Sequence, residues 1–408
     1  MAAPQGGTHE LTRYADVVEV LRNPHFLALL HDGTDAFRAG TVRQIDGPAH
    51  SKRRKAMSSL LRGEGDQWFR DAILMPTIRR NLDVVLAQRD DDGLARADMV
   101  VLVRRAFFQL AASLIGLQGV EDLDSAERLR LFFEPINQAM RSWYSPGDRE
   151  RVMARGIEVQ ETFRRRYFEP AWAYHEQLLA EVERGERDAA DVPQDLLTLV
   201  ARGDIPDLAA DPDLALREAV TDMLNAGTYS SAYTLLHVLD ELLRWFQHHP
   251  EDAHRSCDPD FLYRGVVEGL RLHPVVPQLY RVADEDVTLT SGLRFVRGDI
   301  AAIDVRPVNR DPEAFGANAD RFDPFRPSKQ TVADYGMTFG TGQHMCFGLP
   351  LILGSTGANG SHVQMLRALF EAGVALDPDD PVVAPGGDLA VFERYPVTFA
   401  GTNEPAAW

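Results

Sequence analysis

At 408 residues the chain is long enough for two or three average domains, and its 45% hydrophobic content supplies a large core. Its 43 basic residues against 61 acidic ones give a formal charge of −18, which argues against nucleic acid or an anionic membrane as a general partner. Two cysteines, Cys257 and Cys346, rule out a disulfide framework and suit a reducing compartment.

Residues 1–8 are small and polar, with no basic segment followed by an apolar one, so a soluble cytoplasmic protein without a signal peptide is expected. Apolar residues recur at helical spacing over 14–22, 51–61, 69–88 and 99–117. The pattern continues over 124–141, 148–184, 214–248 and 259–272. The most apolar stretch, 106–117, is too short to cross a bilayer and contains Gln109 and Ser113, so it reads as a core helix. Strand-like alternation is confined to short runs after residue 278, at 279–282, 287–289, 299–303 and 397–400. The segments 63–65, 145–147 and 187–193 read as turns between helices, because none is long or disordered in composition. The expected fold class is mainly α with a small β region, in a single large helix-rich domain over 1–408.

The segment Phe339-Gly340-Thr341-Gly342-Gln343-His344-Met345-Cys346-Phe347-Gly348 sets one cysteine among glycines, a histidine and aromatic rings. A thiolate that ligates iron needs close approach by the metal, shielding from oxidation and backbone N–H donors, and glycines permit such a turn. The bland alternative is a Gly-rich surface turn holding a buried thiol. The segment resembles, at every fixed position, F-G-x-G-x-[HR]-x-C-x-G, the haem-binding signature of the cytochrome P-450 family. That resemblance implies the P-450 fold, with haem b between the long central helix and the cysteine loop. It makes Cys346 the axial iron ligand and Phe339, His344 and Gly348 part of the haem-binding set. Cys257, in a polar acidic turn, shares none of these features.

Further segments match in the family's order. Glu268-Gly269-Leu270-Arg271 lies on the predicted helix that ends before Pro274. E-x-x-R alone is ordinary helix-surface spacing, repeated at Glu127/Arg130, Glu161/Arg164 and Glu241/Arg244. Its context is a strand-like run with Arg281, then Asn309-Arg310-Asp311-Pro312 and Phe322-Asp323-Pro324-Phe325-Arg326. The resemblance implies a buried ion-pair triad of Glu268, Arg271 and Arg326 bracing the cysteine loop. His50 and Arg54, four apart after Pro48, share one helix face and match D-x-P-x-H-x-x-x-R. With Arg281 and His344 they are the implied partners of the haem propionates; a solvated basic helix face is the alternative. Lys52, Arg53 and Lys55 form a local positive cluster at the expected docking edge for a ferredoxin, again with a solvated face as alternative.

The family's A-G-x-[DE]-T element is matched by Ala226 and Gly227, but Tyr229 replaces the acid and Ser230 the threonine. A mid-helix glycine opens a groove, and hydroxyls there can bend the helix. Oxygen–oxygen cleavage needs delivered protons, and a phenol with an ordinary pKa near ~10 substitutes poorly for a carboxylic acid. Gly227, Tyr229 and Ser230 are therefore the candidate catalytic positions, with the proton route open. Two more departures stand out. The chain starts near the family's B helix, so the family's opening helix and first strands are expected to be missing. Residues 349–360, with Pro350 and three glycines, interrupt the helix that normally follows C-x-G directly, and periodicity resumes near His362.

The implied activity is a monooxygenase that inserts one oxygen atom from dioxygen into a mid-sized organic, natural-product or aromatic substrate. Hydroxylation, epoxidation, dealkylation and oxidative coupling all fit, with electrons from a ferredoxin-type partner and no nucleic acid or membrane involved. The expected pocket draws on 25–43, 223–231, 275–280 and 388–392. Phe26, Phe37, Met223, Val276, Gln278 and Phe392 are its candidate substrate contacts. A peroxide-driven peroxygenase and a non-catalytic haem-binding protein are the rivals, because the acid–alcohol pair reads Tyr229-Ser230.

Overall fold

A computed structural model describes residues 6–29, 34–142, 148–385 and 391–401. The predicted turn at 145–147 lies outside them, as do residues 30–33 and 388–390 of the expected pocket segments. Helices Tyr14–Arg22 and Pro259–Leu272 match their predicted bounds. The second starts where Asp258 accepts from the Asp260 N–H and Pro259 fills the first turn, where a missing N–H is harmless. Helices Met99–Ile115 and Leu123–Arg141 follow prediction to within two residues at each end. The predicted 51–61 is Gly47–Met57 plus a 3₁₀ turn, Ser58–Leu61.

Three predicted long helices are each interrupted by a wider π turn. These turns are Phe69–Leu74 before Met75–Leu86, and Arg164–Phe168 between Arg149–Phe163 and Glu169–Glu183. The third, Ala219–Asn225, separates Pro212–Glu218 from Ala226–His248. A π turn shifts the register by a residue without breaking the chain's helical path, so apolar spacing does not report it.

The strands correct the expectation that β structure begins only after residue 278. They are β1 (Thr8–Leu11), β2 (Phe26–Ala28), β3 (Ala95–Asp98), β4 (Gln278–Ala283) and β5 (Val287–Thr288). β6 (Arg294–Phe295), β7 (Ile300–Asp304), β8 (Val374–Leu376) and β9 (Pro396–Phe399) follow. Each early strand is held by a distant partner: β1 lies parallel to β7, β2 antiparallel to β4, and β3 antiparallel to β9. Runs of three or four residues are too short for alternation to register, and only the pairing makes them strands. The sheets have the orders β1-β7-β4-β2, β3-β9-β8 and β5-β6.

The chain forms two compact units. One comprises 1–30, 84–100 and 230–408; the other comprises 31–83 and 101–229. In the first, a core of Leu11, Val17, Val20, Phe26, Phe295 and Ile303 seals the four-stranded sheet against helix Tyr14–Arg22. Helix Pro259–Leu272 is drawn against Ala226–His248 by two glycines. A Cβ on Gly265 would sit 2.7 Å from Leu242, and one on Gly269 2.8 Å from Val238. In the second unit, Phe133 lies between Phe108 and Phe163, with ring centroids 5.9 and 5.6 Å away.

Candidate functional site

In the first unit the cysteine loop is a series of turns rather than a regular element. Gly340 and Gly342 hold φ of +63° and +74°, which an L side chain adopts only under strain. A Cβ on Gly342 would lie 2.2 Å from the Leu21 carbonyl oxygen, so this glycine lets the loop abut the end of helix Tyr14–Arg22. Arg22 Nε donates to Thr341 Oγ1 at 3.1 Å from the same helix. The Cys346 N–H donates to the Phe339 carbonyl at 2.8 Å, which closes the loop around the thiol. Phe339 is buried and His344 half-buried, yet Cys346 itself is exposed.

Behind the loop, Arg271 grips Glu268 with two bonds of 2.7 and 2.8 Å, and Arg326 Nε reaches the same carboxylate at 3.0 Å. The Arg271 side chain is 0% exposed. Its remaining donor serves the carbonyls of Asn309 and Ala319, both at 2.6 Å. Asn309 carries this brace to the loop. Its Nδ2 donates to the Arg271 carbonyl at 2.8 Å and to Thr338 Oγ1 at 3.0 Å, and its Oδ1 accepts from the Met337 N–H at 2.6 Å. Thr338 in turn donates to the Leu270 carbonyl at 2.6 Å. The Asn309-Arg310-Asp311-Pro312 motif by itself assigns Asn309 no role. Buried at the end of the short helix Val305–Val308, an asparagine with both amide ends satisfied is a connector.

The helix after the loop begins directly at Leu349, which corrects the expectation of an immediate interruption. Leu349–Leu353 forms one turn, with Ile352 and Leu353 buried, and Ser361–Glu371 resumes the helical path. The break lies at 354–360. A Cβ on Gly354 would lie 2.1 Å from Asn359 Oδ1, and one on Gly360 2.3 Å from the Ile352 carbonyl.

In the second unit, His50 is buried and Arg54 half-buried on helix Gly47–Met57. Gly227 follows the π turn Ala219–Asn225, and a Cβ placed there would meet only Ala111, at 3.8 Å. Tyr229 is surrounded by charge that its own helix does not supply. Its hydroxyl donates to Glu134 Oε2 and accepts from Arg104 Nη2 at 2.7 Å. Arg104 and Arg141 both bond Glu134, at 3.2 and 3.4 Å, and the Arg141 guanidinium lies 4.1 Å from the Tyr229 ring centre. Burial, reinforced by the Glu134 charge, pushes the phenol up to about 12. The 223–232 stretch carries no cation of its own, but Arg104 and Arg141 come to it from helices Met99–Ile115 and Leu123–Arg141. Sequence spacing could not reveal this, because these partners lie 95 and 125 residues away.

Residues 260–351 match the family model for cytochrome P450. The erythromycin C-12 hydroxylase of Saccharopolyspora erythraea is 26% identical over 351 residues, covering 85% of this chain and 78% of that protein. Among solved structures, CalO2 superposes with a TM-score of 0.70 at 21% identity, over 97% of this chain and 91% of its own. The mycinamicin VIII C21 methyl hydroxylase MycCI of Micromonospora griseorubida gives 0.68 at 23%, over 97% and 91%. The chain has the cytochrome P450 fold. Its alignments to other curated P450s are partial, spanning 39%, 24% and 45% of three plant and insect proteins.

The P450 cofactor is haem on a cysteine thiolate, and Cys346 is the only cysteine within the matched residues. The loop suits such a group. Its thiol is exposed where free cysteines are usually buried, and a Cβ on Gly340 would meet nothing within 4 Å. Among the described residues no cluster of three His, Cys, Asp or Glu is set to cage a metal. No helix among these residues is long and apolar enough to cross a membrane.

Several expected P450 contacts are corrected. Phe26 is 5% exposed and packs edge-on against Phe295 in the sheet core, with centroids 4.9 Å apart. Phe37 is fully buried, and its ring end would lie 3.1 Å from a Cβ on Gly156. Phe392 is wedged between His237 and Tyr395, each 5.0 Å away. All three rings are buried. Met223 is buried, whereas Val276 and Gln278 are exposed, Gln278 accepting from the Tyr280 hydroxyl at 2.7 Å. Arg53 is also corrected as a docking residue. It is buried, bonding Asp207 at 2.7 Å, Glu218 at 3.3 Å and the Gly40 carbonyl, so only Lys52 and Lys55 of that cluster face solvent.

Proposed function

We propose that this P450 is a haem–thiolate monooxygenase that inserts one oxygen atom from dioxygen into a mid-sized organic substrate of the natural-product class. The observation that carries the reading is the exposed Cys346 thiol in a glycine cradle, tied through Thr338 and Asn309 to a buried Glu268–Arg271 pair. A ligand loop braced by a satisfied buried ion pair holds its donor atom in one place. Bound on that thiolate, haem would supply the oxygen-activating chemistry.

The chain's own contribution is positioning and proton handling. Cys346 would give the anionic axial ligand, with Phe339 and Gly348 framing it. Arg281, His344, His50 and Arg54 are the proposed cationic partners of the two propionates. Gly227 leaves unfilled space beside Ala111, and Tyr229 with Ser230 places hydroxyls next to it in the chain. Val276 and Gln278, exposed after Pro274, are the side chains proposed to meet substrate. Two of the similar proteins are named for hydroxylating erythromycin and a mycinamicin, which supports a bulky secondary metabolite as the substrate. Electrons would come from a ferredoxin-type donor at the surface bearing Lys52 and Lys55.

The test is to load the protein with haem, reduce it and record its carbon monoxide difference spectrum. A thiolate-type Soret band, lost in Cys346→Ala while the protein stays folded, is the expected result. A histidine-type band, or no haem uptake, refutes the reading. Retained carbon monoxide and substrate binding without turnover under any donor would leave a haem-binding protein that is not an oxygenase.

A further inference from the structure

Arg104 and Arg141 converge from helices Met99–Ile115 and Leu123–Arg141 on one carboxylate, Glu134, in a chain whose formal charge is −18. We propose that these two guanidiniums form a binding site, within the second unit, for the carboxylate of a small amphipathic organic acid. The site concerns binding alone and does not rest on the oxygenase reading.

The charge there is unbalanced by one. Arg104 Nη2 bonds Glu134 Oε2 at 3.2 Å and Arg141 Nη2 bonds Oε1 at 3.4 Å, so two cations share one anion. The Tyr229 hydroxyl accepts from Arg104 at 2.7 Å but brings no charge, since burial pushes the phenol up to about 12. Arg130 does not alter the count, because Glu127 fills its fork with bonds of 2.6 and 2.7 Å. Arg105 donates to the Asn81 amide oxygen at 2.9 Å, and the carboxylates acting on it are Glu127 and the exposed Asp124.

The donors are underused as well. Among the described residues Arg141 bonds only Glu134 and the Asn137 carbonyl, both at 3.4 Å. A well-formed N–H···O bond spans ~2.7–3.2 Å, so neither fills its fork. Both bonds of Arg104 leave from Nη2, and its Nε is buried with no partner among the described residues. The Tyr229 ring centre lies 4.9 and 4.1 Å from the two guanidiniums and holds both in place. The Arg104 and Arg141 side chains are 23% and 27% exposed, open enough for a ligand to reach yet only partly hydrated. Val101 and Leu131, both exposed, stand three residues before Arg104 and Glu134 on the same helix faces and offer apolar surface to the acid's hydrocarbon. One missing negative charge matches a carboxylate, which a guanidinium fork takes edge-on, whereas a phosphate dianion would overshoot and be repelled by Glu134.

The test is calorimetric titration of the haem-loaded protein at neutral pH with 4-butylbenzoate and with its uncharged amide, 4-butylbenzamide. The acid should bind at least about tenfold tighter than the amide, the scale of one hydrogen bond to a charged group. Arg141→Gln and Arg104→Gln should each bring the acid to within about twofold of the amide, while Arg141→Lys keeps part of the preference as a point charge. Glu134→Gln removes the competing carboxylate and should tighten the acid by about threefold or more, leaving the amide unchanged. A network that only braces the fold would not give opposite changes for Arg141→Gln and Glu134→Gln. Urea melts check that each variant is folded, and if Arg104→Gln is not, Arg141→Gln and Glu134→Gln decide. Equal binding of acid and amide by the wild type, a preference that survives Arg141→Gln, or weaker acid binding in Glu134→Gln overturns the proposal. Tighter binding of 4-butylphenyl phosphate than of the acid overturns it too. None of these readouts needs turnover, so an absence of oxygenase activity leaves them unaffected.

Discussion

Asn309→Ala should loosen the cysteine loop without touching the thiol. Asn309 is fully buried, and its amide is the direct link between the Arg271 carbonyl and the Met337 N–H that leads into Phe339–Gly348. Truncation strands both buried backbone groups, at ~1–3 kcal/mol each, so the loss should be about 2–6 kcal/mol. Unfolding entropy of ~2.1 cal/mol/K per residue over 408 residues is about 0.9 kcal/mol/K, which converts this to a fall in Tm of about 2–7 °C. Asn309→Asp keeps an acceptor for Met337 but turns an oxygen towards the Arg271 carbonyl, and should be no better than alanine at neutral pH. The assay is thermal and urea unfolding of the haem-loaded protein, with haem dissociation followed by its Soret band. Faster haem loss should accompany the lower Tm. A Tm within about 1 °C of wild type, with unchanged haem retention, would refute the reasoning.

His362 is fully buried, accepts or donates at Thr234 Oγ1 at 2.8 Å, and is pushed by burial down to about 3. Its folded pKa lies below its unfolded one, so its contribution is complete above pH ~6.5 and falls by about 1.4 kcal/mol per unit as pH drops towards 3. His362→Gln should flatten that slope in urea melts at pH 7 and 5. Gly269→Ala should destabilise by about 1–3 kcal/mol, because its Cβ would lie 2.8 Å from Val238 despite the better helix propensity. Denaturant midpoints that do not move would contradict this helix contact. Gly227→Ala has room, so it should instead raise stability by up to about 1 kcal/mol, and a drop in Tm would show the space is needed by the fold itself.

Much of the fold was legible in local pattern. Helices Tyr14–Arg22 and Pro259–Leu272 needed only apolar spacing and, for the second, an Asp-Pro start and a nearby proline stop. The cysteine loop was legible as well, since positive φ at Gly340 and Gly342 is written in residue type. Strands β1, β2 and β3 were not, because each owes its conformation to a partner far along the chain. The aromatic side chains misled for a related reason: a Phe that lines a pocket and a Phe that fills a core have the same local sequence, and only neighbours from other elements tell them apart.

Glu268–Arg271 and Glu127–Arg130 share one spacing and one local geometry, with bonds of 2.7 and 2.6 Å. The sequence allows both pairs to form, because three residues on a helix bring the side chains together. Only the tertiary structure decides their worth. At Arg271 the fold removes water and adds Arg326, Asn309 and Ala319, so the pair is a brace whose loss leaves an uncompensated buried charge. Tyr229 follows the same division. Its residue type determined that no acid stands there, and only the packing of helix Leu123–Arg141 decided that Glu134 does its bonding from across a helix interface, where desolvation makes each charge felt.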